Sequence, residues 1–234
     1  MDKDASMIYA MGNSHANFFS NSHPGVIGWG DHTRYPELGW KGTRNEYFMS
    51  YSANFHNPEY RHVLAHKFVE RHFPYIINAI NQVPMTKKDY IMFIVGEIDC
   101  RWHFPKKIKT QNCTVDGVLT EEMEYFFPAF LYLKENGYNI VGWGGHPSTT
   151  KGHNNDPDNP IYGDCLLRNE ISLKWNDLLK DRCQQNDIKF ISIIRNLINP
   201  GGFTKMEYFW DDYHLKPSVL PIVIEKCKAE GIIC

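Results

Sequence analysis

A serine hydroxyl is almost inert at neutral pH unless a neighbouring base takes its proton during attack. A serine on a tight turn is therefore read together with any histidine–carboxylate pair elsewhere in the chain. Tyr9-Ala10-Met11-Gly12-Asn13-Ser14-His15 has the form of an apolar strand entering a Gly-containing turn that presents Ser14. Such a turn exposes the oxygen and leaves backbone N–H groups to hold an oxyanion, although Gly-Asn-Ser alone is equally an ordinary turn. Near the other end, Trp210-Asp211-Asp212-Tyr213-His214-Leu215-Lys216-Pro217 puts a carboxylate and an imidazole on one short segment. Asp211 can fix one ring nitrogen of His214 while the other faces the serine. Asp212 competes for that role, or caps the helix that follows.

A third cluster lies mid-chain, in Gly96-Glu97-Ile98-Asp99-Cys100-Arg101 followed by His103. A guanidinium such as Arg101 can hold an oxyanion or a carboxylate through two parallel bonds. Glu97, Asp99 and Arg101 can equally form a buried ion-pair network that only shapes the loop. His62 and His66, four apart, have zinc-chelating spacing but lack the Glu of a zinc protease between them. His146 and His153 sit on a polar, proline-rich stretch, as contacts for a substrate or as solvated loop residues. Arg168 and Asn169 lie in the first turns of a predicted helix, whose N-terminus favours anions. Trp29, Trp40 and Trp143 read as core or loop anchors, or as a platform for sugar stacking.

The elements that must carry these residues are legible as alternation. Short apolar runs at 7–11, 90–95, 140–143 and 190–194 read as buried parallel strands. Between them lie helical patterns at 58–81, kinked or divided at Pro74, at 120–136, capped by Thr120, at 164–185, and at 217–230, opened by Pro217. Residues 21–57 and 144–163 read as long loops, which in an open α/β sheet can build a site at the carboxyl ends of the strands. Strand–helix alternation of this kind implies a three-layer α/β domain with right-handed crossovers. The 234 residues, 42% of them hydrophobic, can fill one core, so a single domain over 1–234 is expected.

A net charge of −2, with Lys106-Lys107-Ile108-Lys109 as the densest basic run, argues against a nucleic-acid binder. The six cysteines form no Cys-x-x-Cys pair, so neither a zinc ribbon nor a thioredoxin-like site is indicated. No segment approaches the ~20 apolar residues of a membrane span, and the start lacks a signal-peptide pattern. The expectation is a cytoplasmic protein without metal or cofactor that meets a small-molecule or glycan substrate. The oligomeric state is not readable.

The Gly-x-Ser-His turn after the first strand and Asp-x-x-His-Leu before the last helix together resemble the outer signatures of the SGNH/GDSL hydrolases. That resemblance implies a flavodoxin-like α/β/α sandwich with a central parallel sheet. It also implies acyl hydrolysis or transfer through an acyl-serine, with Ser14, Asp211 and His214 as the catalytic triad. Asn13 stands where the family has Asp. Gly96 matches the glycine that donates to the oxyanion, beside the Ser14 N–H. Ile98 occupies the position of the family's Asn donor, which makes Arg101 the candidate replacement. The Gly-Glu-Ile-Asp-Cys-Arg run is similar to a divergent branch associated with polysaccharide modification. The reading is thus a serine esterase or acyltransferase acting on O-acyl, chiefly O-acetyl, groups of a carbohydrate. Its substrate contacts are placed at His15, Glu97, Asp99, His103, His146 and Arg168. Two alternatives are a noncatalytic or weakly active glycan-binding module on the same fold and a metal-dependent phosphoesterase. The second draws on the His, Glu and Asp residues at the strand ends but lacks an N-terminal Asp-x-His.

Overall fold

In the computed structural model of the chain, residues 6–20, 34–35, 40–44, 47–53, 64–83, 85–149 and 162–233 are described. Among the described residues, seven strands form one sheet: β1 (Ile8–Gly12), β2 (Arg34–Tyr35), β3 (Trp40–Arg44), β4 (Phe48–Ala53), β5 (Tyr90–Ile94), β6 (Asn139–Trp143) and β7 (Lys189–Ile191), in the order β2-β3-β4-β1-β5-β6-β7. The run β4-β1-β5-β6-β7 is parallel throughout, and β2 and β3 add an antiparallel edge. Taken in chain order, the parallel strands are arranged 2-1-3-4-5, the flavodoxin-like order, whose switch point lies between β1 and β5.

The helices are α1 (Phe73–Gln82), α2 (Phe104–Gln111), α3 (Val115–Phe126), α4 (Pro128–Glu135), α5 (Cys165–Gln185), α6 (Ile194–Leu197) and α7 (Leu220–Ala229). Strand alternation divides the core in two. Tyr9, Met11, Ile91 and Phe93 face the layer that contains Phe126, Phe130 and Trp175. Ile8, Ala10, Met92 and Ile94 face Phe18, Phe19, Val219 and Val223. Successive residues point to opposite faces, so strands covered on both sides read as unbroken apolar runs.

The departures from the sequence expectation have identifiable causes. The stretch 21–57, expected to be a loop, contributes β2, β3 and β4. Trp-Lys-Gly-Thr-Arg and Phe-Met-Ser-Tyr-Ser-Ala carry too many polar and small residues to show a buried strand, yet β4 lies directly beside β1. The single helix expected over 120–136 is two helices, because Pro128 lacks an N–H and starts a new one. Its cap is Thr114, whose hydroxyl accepts the Gly117 N–H at 3.1 Å, and not Thr120. Within 58–81, residues 58–63 lie outside the described residues. Pro74 stands at a division: it sits in the first turn of α1, directly after a π-helical stretch at Phe68–His72. The Lys106–Lys109 run lies within α2. Among the described residues, no helix is long and apolar enough to cross a membrane.

At the switch point the backbones of β1 and β5 nearly touch. A Cβ on Gly12 would stand 2.1 Å from the Ile94 carbonyl oxygen, a backbone atom with nowhere to go. Gly12→Ala should therefore cost about 1–3 kcal/mol or more and displace the Ser14 turn. Urea unfolding checks this, and a variant of wild-type stability would contradict the close packing described.

Candidate active site

Three strand ends deliver the site. Beyond β1, Asn13 makes an Asx turn: its Oδ1 accepts the His15 N–H at 3.1 Å and its backbone carbonyl accepts the Ala16 N–H at 3.0 Å. The turn uses only the acceptor oxygen of Asn13, and its buried Nδ2 has no partner among the described residues. Ser14 opens the 3-10 helix Ser14–Ser20; its side chain lies outside what is described. The next residue, His15, is buried, and its Nε2 donates to Glu97 Oε2 at 2.8 Å.

Beyond β5, Gly96 has φ +100°, and a Cβ there would meet the Trp175 indole nitrogen at 2.6 Å. Only glycine takes that conformation without strain, and it reverses the chain into Glu97. Glu97 is buried and engaged on both oxygens, by His15 and by Arg101, whose Nε donates at 2.7 Å and whose Nη2 donates at 3.4 Å. Burial alone would raise the Glu97 pKa, but the Arg101 and His15 charges and bonds hold it well below the usual range. The Arg101 guanidinium also lies over the Tyr213 ring, 5.2 Å from its centroid.

The third group is a tight hairpin closed by Phe209 and Leu215, with the Trp210 N–H donating to the His214 carbonyl at 2.8 Å. Inside it, Asp211 Oδ1 accepts the N–H groups of Tyr213 and His214 at 2.8 and 2.7 Å, while Oδ2 accepts from His214 Nδ1 at 2.8 Å. Asp211, not Asp212, is the partner of the imidazole. The bond fixes the tautomer with Nδ1 protonated and leaves Nε2 as the basic nitrogen. Burial, reinforced by the facing His15 ring 5.0 Å away, lowers the His214 pKa to about 4 against the pull of Asp211. The imidazole is therefore neutral at pH 7, the form in which a histidine can accept a proton. Burial raises the Asp211 carboxyl, and the His214 and Tyr213 bonds overcome it to leave the group below its ordinary value.

The other expected contacts separate into those at this site and those elsewhere. His146, on the loop after β6, is buried with its ring 4.6 Å from His15 and its Nε2 on the Tyr213 carbonyl at 2.9 Å. Arg168 is buried and differently employed from a substrate contact. Its guanidinium donates to Ser148 Oγ, the Gly163 carbonyl and the Thr149 carbonyl at 2.7–2.9 Å, bracing that loop against α5. Asp99 is fully buried, and its oxygens accept the Ala65 and His66 N–H groups at 2.7 and 3.4 Å. Burial raises its pKa to about 7, and those bonds only partly offset the rise. It ties the β5 turn to the chain before α1 and turns no oxygen to a ligand. His103 lines a separate groove with His66, Lys107 and Glu122. Ile98 is buried, and its side chain has no donor to offer the site. Trp143 is core at 2% exposure, whereas His62, His153, Trp29 and the Trp40 side chain lie outside what is described. Tyr213, which joins Arg101, His146 and His214, was invisible in the sequence because an aromatic between two site residues carries no signal of its own.

Among the described residues, His15, Glu97 and His146 bring donor atoms within 4.8 Å of one another, as a metal site would. Both Glu97 oxygens are already committed, and a guanidinium 2.7 Å away opposes a second cation there. Glu97 is thus the partner of Arg101 and His15 first.

Solved structures share the fold. A Bacteroides fragilis protein assigned as an acylhydrolase matches at TM-score 0.58 and 15% identity, covering 99% of this chain and 90% of that one. A carbohydrate acetylesterase from Sinorhizobium meliloti matches at TM-score 0.52 and 13% identity, covering 96% and 99%. A GDSL-like lipase from Bacteroides thetaiotaomicron matches at TM-score 0.52 and 12% identity, covering 97% and 89%. The chain thus has the fold of GDSL-type acylhydrolases and esterases. No protein-family profile and no curated protein matches its sequence.

Two outcomes follow from the geometry. Glu97→Gln strips Arg101 of its counter-charge and weakens the acceptor of His15, and breaking a buried pair in this way costs about 3–5 kcal/mol. Chemical denaturation should register that loss. In addition, protonation of His214 removes the basic nitrogen, so any activity using it is lost as pH falls through a pKa near 4. A pH profile of kcat/KM should stay level well below 6.5, and an acidic limb at 6.5 or above would rule His214 out as the base so placed.

Proposed function

We propose that the protein is a serine esterase or acyltransferase that takes an O-acyl group, chiefly acetyl, from a carbohydrate through an acyl-serine. The observation that carries this reading is the Asp211–His214 pair, bonded at 2.8 Å and neutral at the imidazole, at the sheet edge from which the Ser14 turn emerges. In the proposed mechanism His214 Nε2 takes the Ser14 proton as Oγ attacks the ester carbonyl. Asp211 stabilises the imidazolium that forms. The Ser14 and Gly96 N–H groups, together with the Arg101 guanidinium, stabilise the tetrahedral oxyanion. Collapse breaks the acyl–oxygen bond, and the sugar hydroxyl leaves with the proton from His214. Water then completes hydrolysis, or a second sugar hydroxyl completes transfer. The carbohydrate acceptor is supported by the likeness to the Sinorhizobium acetylesterase and by the Gly-Glu-Ile-Asp-Cys-Arg run.

Ser14→Ala and His214→Ala should each reduce kcat on p-nitrophenyl acetate and on an acetylated glycan by about 10⁴–10⁶. A fluorophosphonate should label wild-type Ser14. Dialysis against EDTA should leave the rate unchanged. Saturable glycan binding without label or turnover would instead identify a binding module on this fold, and a rate abolished by EDTA and restored by metal would favour the His15–Glu97–His146 cluster as the working centre.

A further inference from the structure

The lysines of α2 play no part in the chemistry described so far, and they are held in two different ways. The π-helical turn Asp99–His103 continues into α2, so Trp102, Lys106 and Lys109, spaced i, i+4 and i+7, share one face about 10 Å long. Lys107, turned about 100° away from Lys106, is spent on α3 carboxylates, donating to Glu121 at 2.9 Å and to Glu122 at 3.0 Å. Lys106 Nζ instead lies 5.7 Å from the Trp102 ring centroid, and Lys109 Nζ lies 5.6 Å from that of Tyr162. An aromatic face steadies an ammonium without cancelling its charge. Both lysines are exposed, and among the described residues neither meets a carboxylate. The stripe is tied at both ends to the hairpin of Asp211 and His214. Before Trp102 stands Arg101, whose guanidinium lies over the Tyr213 ring. Tyr162 precedes Gly163, whose carbonyl accepts from Arg168. The same guanidinium donates to the Thr149 carbonyl, and the Thr149 hydroxyl donates to the Asp212 carbonyl.

We infer that the Trp102–Lys106–Lys109 stripe binds acidic sugar units of the polysaccharide whose acyl group is presented to Ser14. The inference rests on the Ser14 esterase reading and adds to it a substrate class, a glycan that carries carboxylate or sulfate groups. Two ammonium groups with no counter-charge of their own gain little from a neutral chain and attract an acidic one. Lysine suits such a ligand. It is a compact point charge on a flexible stem, not a rigid fork, so it can follow acidic groups along a polymer without demanding one geometry. The chain as a whole carries a net charge of −2, so the stripe is a local positive feature and not part of a general basic surface. Charges exposed in this way act through solvent and are screened by salt, over about 30 Å at 0.01 M and about 3 Å at 1 M.

The test compares acetate release from O-acetylated polygalacturonate with release from its methyl ester, the same backbone without the charge. Acetylated dextran sulfate against acetylated dextran forms a second pair, so that a carboxylate preference and a sulfate preference are told apart. At about 0.01 M salt, wild type should favour the acidic member of a pair in kcat/KM by at least about tenfold. That ratio should fall toward unity near 1 M salt. Lys106→Gln combined with Lys109→Gln should abolish the preference at low salt, through KM. Lys180→Gln, which removes an exposed charge from the far half of α5, should leave it in place. Equal rates on both members of both pairs, or a preference that survives the double variant, would overturn the inference and leave the esterase standing. Calorimetric binding of unacetylated polygalacturonate and dextran sulfate reads the stripe apart from turnover. Binding to wild type but not to the double variant, with no acetate released from any polymer, would uphold the stripe and overturn the Ser14 reading. Equally tight binding of a single-stranded oligonucleotide would mark an unselective polyanion surface and overturn the glycan assignment.

Discussion

A carboxylate taken out of water must be answered charge for charge, and Glu97 is the carboxylate on which this sheet edge is organised. It lies at the flavodoxin-like switch point, buried between a histidine from the β1 turn and an arginine one helical turn further along its own segment. Desolvation of the kind Glu97 suffers costs several kcal/mol per ion. Only convergence of His15 and Arg101 keeps it ionised. The requirement runs in both directions. Holding His15 fixes the turn that begins with Asn13 and Ser14, and holding Arg101 places a guanidinium over the Tyr213 ring in the hairpin of Asp211 and His214. A single buried charge therefore sets the relative positions of segments almost two hundred residues apart in sequence.

The loop after β6 extends this arrangement. It is polar and proline-rich, with nothing in its composition to order it, and yet residues 144–149 are largely buried. Arg168 and Asn169, from the first turns of α5, satisfy Ser148 and Thr149, while His146 reaches the Tyr213 carbonyl. Buried backbone groups need partners, and here they find them in side chains from α5. The Asp164 cap that starts α5 thus matters to the site as well as to the helix, because it determines where Arg168 emerges.

Much of the framework was legible in the sequence because the physics that writes it is local. Strands buried on both faces must be apolar at every position, and β1, β5, β6 and β7 declared themselves that way. β4 did not: its burial comes from tertiary neighbours, while its own Ser50 and Ser52 look like loop. At the site, Asp211 and His214 were readable because their spacing alone lets them bond. Glu97 and Arg101 were readable as a choice between ligand contact and ion pair, and the structure shows the ion pair in place. The partnership of Glu97 with His15 was not readable, since no pattern in a sequence says which turn will face which across a sheet. Arg168 misled for a related reason. A helix N-terminus suggests an anion from outside, but this one turns its arginine inward to carbonyls of its own chain.

Two imidazole–carboxylate pairs consequently stand side by side, their rings 5.0 Å apart, and their surroundings give them opposite characters. Asp211 is partly exposed and spends one oxygen on two backbone N–H groups, so it orients His214 without charging it, and the His15 ring opposite further discourages a proton there. Glu97 is wholly buried and already neutralised by Arg101, so it cannot support a full positive charge on His15, whose pKa burial likewise depresses. One pair fixes its imidazole with Nδ1 protonated. The other spends its bond holding the adjacent turn in place. What separates the two pairs is not the residue types, which are nearly the same, but that an arginine also engages the buried carboxylate.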